Sequence, residues 1–314
     1  MCGLDDVKMP GGWRVRCVRA RVGRGELGGM RVAARRVLVI GAGQMGGGIA
    51  QVAAQAGCRV TLQDLDAAFL ERGLQAVRDS LQRLVRRGGM TETDAAAVEG
   101  RIAVSTELSA AAEADFVIEA ATEQLSVKLG IFRAVDALAP ESCILASNTS
   151  SLSITELAAA TGRPERVIGM HFMNPVPVME LVEVIRGLQT SDDAHGRTVE
   201  FVRELSKTPL TVRDFPGFVA NRILMPMINE AIFTLQDGVA DAETIDGVMK
   251  LGMNHPMGPL RLADLIGLDT CLYIMEVLHQ GFGDPKYRPC PLLRSYVAAG
   301  WLGRKTGRGF YPYA

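Results

Sequence analysis

The chain has 314 residues, 48% of them hydrophobic, which is enough apolar material for a large buried core and more than one domain. Its formal net charge of −1 gives no general attraction to nucleic acid or to an anionic membrane surface, and no apolar run reaches the roughly 18 residues that a transmembrane helix needs. Cys2, Cys17, Cys58, Cys143, Cys271 and Cys290 are scattered, with no CxxC pair and no His/Cys cluster at metal-ligand spacing, so they read as reduced thiols of a cytoplasmic protein without a metal centre.

Residues 1 to about 34 carry Gly, Arg and Pro in neither a strand nor a helix period. They lack the Ser-rich, amphipathic character of a transit peptide, and the expectation is a disordered extension or a start placed too early, with Met30 as the working start. The folding signal begins near Arg35. Val37-Leu38-Val39-Ile40 has the β-branched character of a buried parallel strand, and it runs into Gly41-Ala42-Gly43-Gln44-Met45-Gly46. Ile49, Val52, Ala53 and Ala56 then recur at helical spacing until Gly57, and a second apolar run ends at Asp64.

A GxGxxG turn alone is a weak signal. Between a strand and a helix, with an acid about 20 residues on, it becomes specific for a dinucleotide. Gly41 permits the tight turn, Gly43 lets backbone approach a pyrophosphate, and Gly46 lets the helix pack close to the strand. Asp64 can accept from both ribose hydroxyls and would repel a 2′-phosphate, which favours NAD over NADP.

A long helix is expected from Ala67 to about Arg87, with Phe69, Leu70, Leu74, Val77, Leu81 and Leu84 inward and Arg72, Arg78, Arg83, Arg86 and Arg87 on a cationic face. Further strands are expected at Arg101–Ser105, Phe116–Glu119 and Cys143–Ser147. Strands alternating with helices predict an α/β fold with a doubly wound, mostly parallel sheet, in which ligands sit beyond the carboxyl ends of the strands. The segments Glu119–Lys128 and Ser147–Ser151 should therefore border the cleft. Ser153-Ile154-Thr155-Glu156 matches a capping box, which leaves Asn148 and Ser150 free to face a ligand.

Val167–Met170 reads as another strand, ending at His171, and the prolines of Asn174-Pro175-Val176-Pro177 hold the next segment extended. In Glu180–Ile185 an acid lies among branched apolar residues, where a carboxylate needs a partner. His171, at a strand end beside the nucleotide site, is the natural one, whereas His195, His255 and His279 read as structural. After Thr211-Val212-Arg213 the character becomes helical, with helices expected at Phe218–Leu235, Ile245–Leu251 and Leu260 to about His279. The expected organisation is an extension over 1–34, a sheet domain over 35–214 and a smaller all-α domain over 215–314 whose broad apolar surface suggests a homodimer.

The stretches Gly41–Gly46, Ser147–Ser153, His171–Pro177, Leu181–Val184, Pro216–Arg222, His255–Pro259 and Gly303–Gly307 together resemble the NAD-dependent L-3-hydroxyacyl-CoA dehydrogenases, in particular the bacterial 3-hydroxybutyryl-CoA type, over about 35–314. The resemblance implies a Rossmann-type domain, an acyl-CoA substrate and a homodimer. It implies that His171 is the catalytic base, that Glu183 orients it, and that Ser150 and Asn221 hold the 3-hydroxyl or 3-keto oxygen. It also puts Asp64, Glu123, Lys128, Ser150, Asn174 and Lys305 at the cofactor with the turn residues Gly41, Gly43, Gln44, Met45 and Gly46. Relatives usually carry lysines for the CoA phosphates where this chain has Arg86 and Arg87, and arginine binds phosphate at least as well. Rival readings are a dehydrogenase of a free hydroxy acid or sugar acid and a non-catalytic nucleotide-binding protein. The second has no use for a His/Glu pair.

Overall fold

A computed structural model of the chain describes residues 4–8, 14–18 and 35–313. Leu4–Lys8 (β1) and Arg14–Val18 (β2) pair antiparallel as a two-stranded unit of their own. They are the only described part of the expected extension; disorder of the rest and a start at Met30 lie outside the described residues.

The second unit carries one eight-stranded sheet. Its strands are β3 (Arg36–Ile40), β4 (Arg59–Gln63), β5 (Ile102–Ser105), β6 (Phe116–Glu119), β7 (Ile144–Ser147), β8 (Val167–Phe172), β9 (Leu181–Arg186) and β10 (Thr208–Arg213), in the spatial order β10-β9-β8-β7-β6-β3-β4-β5. The strands from β3 to β8 run parallel, β9 turns back against β8, and β10 follows β9. Alternate residues of β3 enter different cores, Val37 and Val39 on one face and Leu38 and Ile40 on the other. A strand covered on both faces needs apolar residues at every position, which is why these strands read as continuous hydrophobic runs.

One face is covered by α1 (Gln44–Gln55), α2 (Ala67–Arg86), α3 (Glu92–Glu99) and α6 (Asp192–Glu204), the other by α4 (Leu125–Leu138) and α5 (Ile154–Ala158). The long helix α2 buries Leu70, Val77 and Leu81 as expected. Phe69 departs from the expectation: it is half exposed, with the Arg72 guanidinium 4.5 Å above its ring, because it lies at the edge of the apolar stripe where a cation can cover its face.

Beyond β10 all elements are helical: α7 (Ala220–Gln236), α8 (Ala242–Gly252), α9 (Pro259–Ile266), α10 (Leu268–Phe282) and α11 (Pro291–Ala298). Helix α7 starts later than Phe218 because Gly217 (φ 74°) and Phe218 (φ 50°) are left-handed. The single helix expected over Leu260–His279 is two helices. They meet at Gly267, whose φ of 103° and ψ of 126° no right-handed helix admits. Replacing Gly267 by alanine should destabilise the chain by about 1–3 kcal/mol, the usual cost of a non-glycine residue forced into such a region, read as a lower urea midpoint.

Candidate active site

The glycine turn leaves the carboxyl end of β3, an inner strand between β6 and β4. Gly41 has φ +100°, and a Cβ there would lie 2.7 Å from the carbonyl oxygen of Ala120, while a Cβ on Gly46 would lie 1.7 Å from that of Gly41. Gly43 differs: a Cβ there would meet nothing within 4 Å, so the missing side chain leaves open space beside the first turn of α1, whose N-terminus has no side-chain cap. Such a cradle, with unspent N–H groups and the positive end of a helix, suits a pyrophosphate. Asp64 lies at its edge, where Oδ2 accepts from the Ala42 N–H at 2.7 Å and Oδ1 from the Leu65 N–H at 2.8 Å. The donor set therefore fits NAD. Gln44 is exposed at the start of α1 and donates to Asn174 Oδ1 at 3.0 Å, joining the turn to the segment after β8.

The reversal of direction between β8 and β9 puts His171 directly opposite Glu183. Their side chains meet, His171 Nδ1 lying 2.8 Å from Glu183 Oε2 in a buried pair. Glu183 Oε1 accepts from the N–H groups of Val219 (3.2 Å) and Ala220 (3.0 Å). Burial pushes the Glu183 carboxyl up, but the hydrogen bonds from His171 and from the Ala220 and Val219 amides outweigh it and hold the group below the usual carboxylate range. An ionised carboxylate only accepts, so Nδ1 carries the proton and Nε2 is left as an acceptor. Ser150 Oγ lies 3.1 Å from that Nε2. Asn221, in the first turn of α7, donates from Nδ2 to the Ser150 carbonyl at 3.0 Å. The fold thus gathers Ser150, His171, Glu183 and Asn221 from a loop, two strands and a helix.

Ser150 also lines a cleft of about 340 Å³ together with Met45, Glu123, Lys128, Asn148, Asp269 and Tyr273. Asn148, expected to face a ligand, has its Oδ1 committed to the Phe172 N–H at 2.9 Å. Lys128 is 1% exposed, and its Nζ lies 2.7 and 2.9 Å from the two oxygens of Glu119, itself 1% exposed. Lys305 does not itself line the cleft, but its Nζ lies 2.6 Å from both oxygens of Asp269, which does. The segment carrying Lys305 is fastened by buried Asp264, which accepts from the Phe310 and Tyr311 amides and the Tyr313 hydroxyl. Arg86 and Arg87 are exposed at the far end of α2 and do not line this cleft.

Sequence reasoning puts Glu119 in a segment that borders the cleft but gives it no partner, and it misses Asp269 and Tyr273. Glu119 carries the signal that singles out Glu183, an acid in a buried apolar strand, with Lys128 nine residues on as its partner. Asp269 and Tyr273 lie on α10, where nothing in the spacing separates them from ordinary helix positions.

A doubly wound sheet with a dinucleotide cradle at the carboxyl end of one strand, and a histidine backed by a carboxylate on two neighbouring strands, defines a nicotinamide-dependent dehydrogenase. The family models described as "3-hydroxyacyl-CoA dehydrogenase, NAD binding domain" and "3-hydroxyacyl-CoA dehydrogenase, C-terminal domain" match residues 36–215 and 217–313. A probable 3-hydroxybutyryl-CoA dehydrogenase of Bacillus subtilis is 59% identical over 279 residues, which cover 89% of this chain and 97% of that protein. The mitochondrial hydroxyacyl-coenzyme A dehydrogenase of Homo sapiens is 42% identical over 290 residues, covering 90% of this chain and 92% of that protein. Among solved structures, the (S)-3-hydroxybutyryl-CoA dehydrogenase PaaH1 of Ralstonia eutropha superposes with a TM-score of 0.87 at 54% identity, covering 90% of this chain and all (100%) of that one. The chain belongs to the 3-hydroxyacyl-CoA dehydrogenase family, and its chemistry is the family's NAD-dependent oxidoreduction.

Proposed function

We propose that this site interconverts an L-3-hydroxyacyl-CoA, such as 3-hydroxybutyryl-CoA, and the 3-ketoacyl-CoA, with His171 as acid–base. The observation that carries this reading is the continuous relay from Glu183 through His171 to Ser150, with spacings of 2.8 and 3.1 Å, at the edge of the cleft. Bound NAD supplies the hydride acceptor. His171 Nε2, the acceptor in the tautomer that the Nδ1–H bond to Glu183 selects, takes the hydroxyl proton in oxidation, and the imidazolium returns it in reduction. Ser150 Oγ and the second N–H of Asn221 polarise the same substrate oxygen, each an oxyanion-type donor worth of the order of 10²- to 10³-fold. The test is NADH oxidation with acetoacetyl-CoA, with free acetoacetate as control. Turnover of the ester alone is the expected result; turnover of the free acid alone would move the enzyme to the hydroxy-acid dehydrogenases.

Asp64 selects the cofactor in this reading. Asp64→Ala is expected to raise the KM for NAD and to relax discrimination against NADP, because the carboxylate that binds the ribose and repels a 2′-phosphate is gone. Glu183 also gives a pH dependence. A carboxyl held below its unfolded value stabilises the fold fully above about pH 4.3, the unfolded value, and loses that contribution as the pH falls through the folded one. The stability difference between the native chain and Glu183→Gln in urea should therefore shrink between pH 7 and acid.

The all-α part exposes Ile223, Val239, Val248, Leu251 and Met253, which supports a homodimer through it, to be checked by light scattering. Free thiols at Cys58, Cys143, Cys271 and Cys290 support the cytoplasm as its place. No helix among the described residues is long and apolar enough to cross a membrane.

A further inference from the structure

We infer that Glu123 is a positioning residue that acts on the reaction through Ser150, an inference that rests on the reading of Ser150 given above. Glu123 follows β6 at the entry to α4, where the family resemblance puts a cofactor contact. Its Oε1 is already committed. It accepts from Thr149 Oγ1 at 2.5 Å, Ser150 N at 2.9 Å, Ser151 N at 3.1 Å and Ser151 Oγ at 3.0 Å. Three consecutive residues thus fold around one carboxylate oxygen, in the manner of a backbone nest closing on an anion. Thr149 Oγ1 tightens the same loop by accepting from the Leu152 N–H at 2.9 Å.

The carboxylate is fixed from its other side as well. Glu123 Oε2 lies 3.4 Å from the buried Lys128 ammonium, whose main partner, Glu119, accepts from Ser147 Oγ at 2.6 Å. Both ends of the segment Ser147–Ser151 are therefore tied to acids bridged by one lysine, Ser147 to Glu119 and Thr149–Ser151 to Glu123. What that framework aims is the Ser150 hydroxyl, 3.1 Å from His171 Nε2. Charge-assisted bonds are about twice as strong as neutral ones, so the loop is held harder by glutamate than by any neutral side chain. A shift of about 1 Å at a reacting group costs of the order of 10²-fold in rate. Glu123 can impose such a shift without touching substrate.

The experiment is a double-mutant cycle on the full-length chain, with kcat, its pH profile and NAD affinity by titration as readouts. Glu123→Ala should lower kcat about 10²-fold. Measured at saturating NAD, Glu123→Ala/Ser150→Ala should be slower than Ser150→Ala by no more than about twofold. The limb of the pH profile that moves in Ser150→Ala should move the same way in Glu123→Ala, which a loss of fold alone would not produce. Losses that multiply in the double variant overturn the inference, as does a NAD affinity weakened tenfold or more with kcat kept. If Ser150→Ala alone retains full turnover, the reading of Ser150 fails first and the inference falls with it, an outcome distinct from multiplying losses. Should Glu123→Ala unfold at assay temperature, Glu123→Gln carries the same cycle with a smaller first loss, because its amide oxygen still accepts from the loop.

Discussion

Replacing His171 by alanine is expected to lower kcat by about 10³-fold, within the range that a positioned acid–base group contributes, while the affinity for NAD is nearly unchanged. The asymmetry follows from where the imidazole spends its two nitrogens. One faces Glu183 and the other Ser150, and neither reaches the glycine turn or Asp64. Glu183→Gln tests the same relay through its second member. The amide can still accept from the Val219 and Ala220 N–H groups, so the local fold should hold. Its N–H, however, favours the wrong imidazole tautomer, with the proton on Nε2, where the substrate's proton must go. A loss of the order of 10²- to 10⁴-fold in kcat is expected for this variant too. Steady-state kinetics with a parallel NAD titration measures both quantities. Full turnover in the two variants would remove the proposed acid–base pair.

Lys128→Met should be the most destabilising single change in the sheet domain, at about 3–5 kcal/mol, because it leaves the carboxylate of Glu119 buried without its counter-charge. The two donors that remain, Ser147 Oγ and the Ala121 N–H, solvate that carboxylate only in part. Methionine fills much the same volume as lysine, so a cavity would not account for the loss. Adding Glu119→Gln removes the stranded charge; its one amide oxygen accepts from the Ala121 N–H, and its NH2 donates to the Ser147 hydroxyl oxygen, which can accept as well as donate. The double variant should accordingly be more stable than Lys128→Met alone, as judged by urea midpoints at equal m-values. A double variant no better than the single one would mean that the pair's worth lies in packing instead.

Much of this was legible in the sequence, and for identifiable reasons. The sheet announces itself because strands buried on both faces must be apolar throughout, as in Val37–Ile40 and Ile144–Ala146. The His171/Glu183 pair could be argued from cost alone, since a carboxylate among valines and isoleucines demands a partner. The resemblance added Ser150 and Asn221, which lie 71 residues apart and meet only in the fold. Other features are written in no spacing. The break between α9 and α10 depends on the left-handed backbone of Gly267, while the apolar period runs on through it. The exposure of Phe69 depends on which edge of the α2 stripe the sheet covers. The Glu119–Lys128 bond forms only because the start of α4 turns its lysine inward over the end of β6.

The antiparallel pairing of β8 with β9 has a consequence for how such an enzyme can diversify. His171 and Glu183 face each other by sheet register, and the chain between those strands is a loop over residues 173–180. Lengthening a loop is cheap in closure entropy and leaves the pairing of its flanking strands in place. Insertions there leave the spacing of the proton relay constant. The geometry of the His171/Glu183 pair is therefore insulated from length changes in that loop, guarded by the ladder of backbone hydrogen bonds on either side of it.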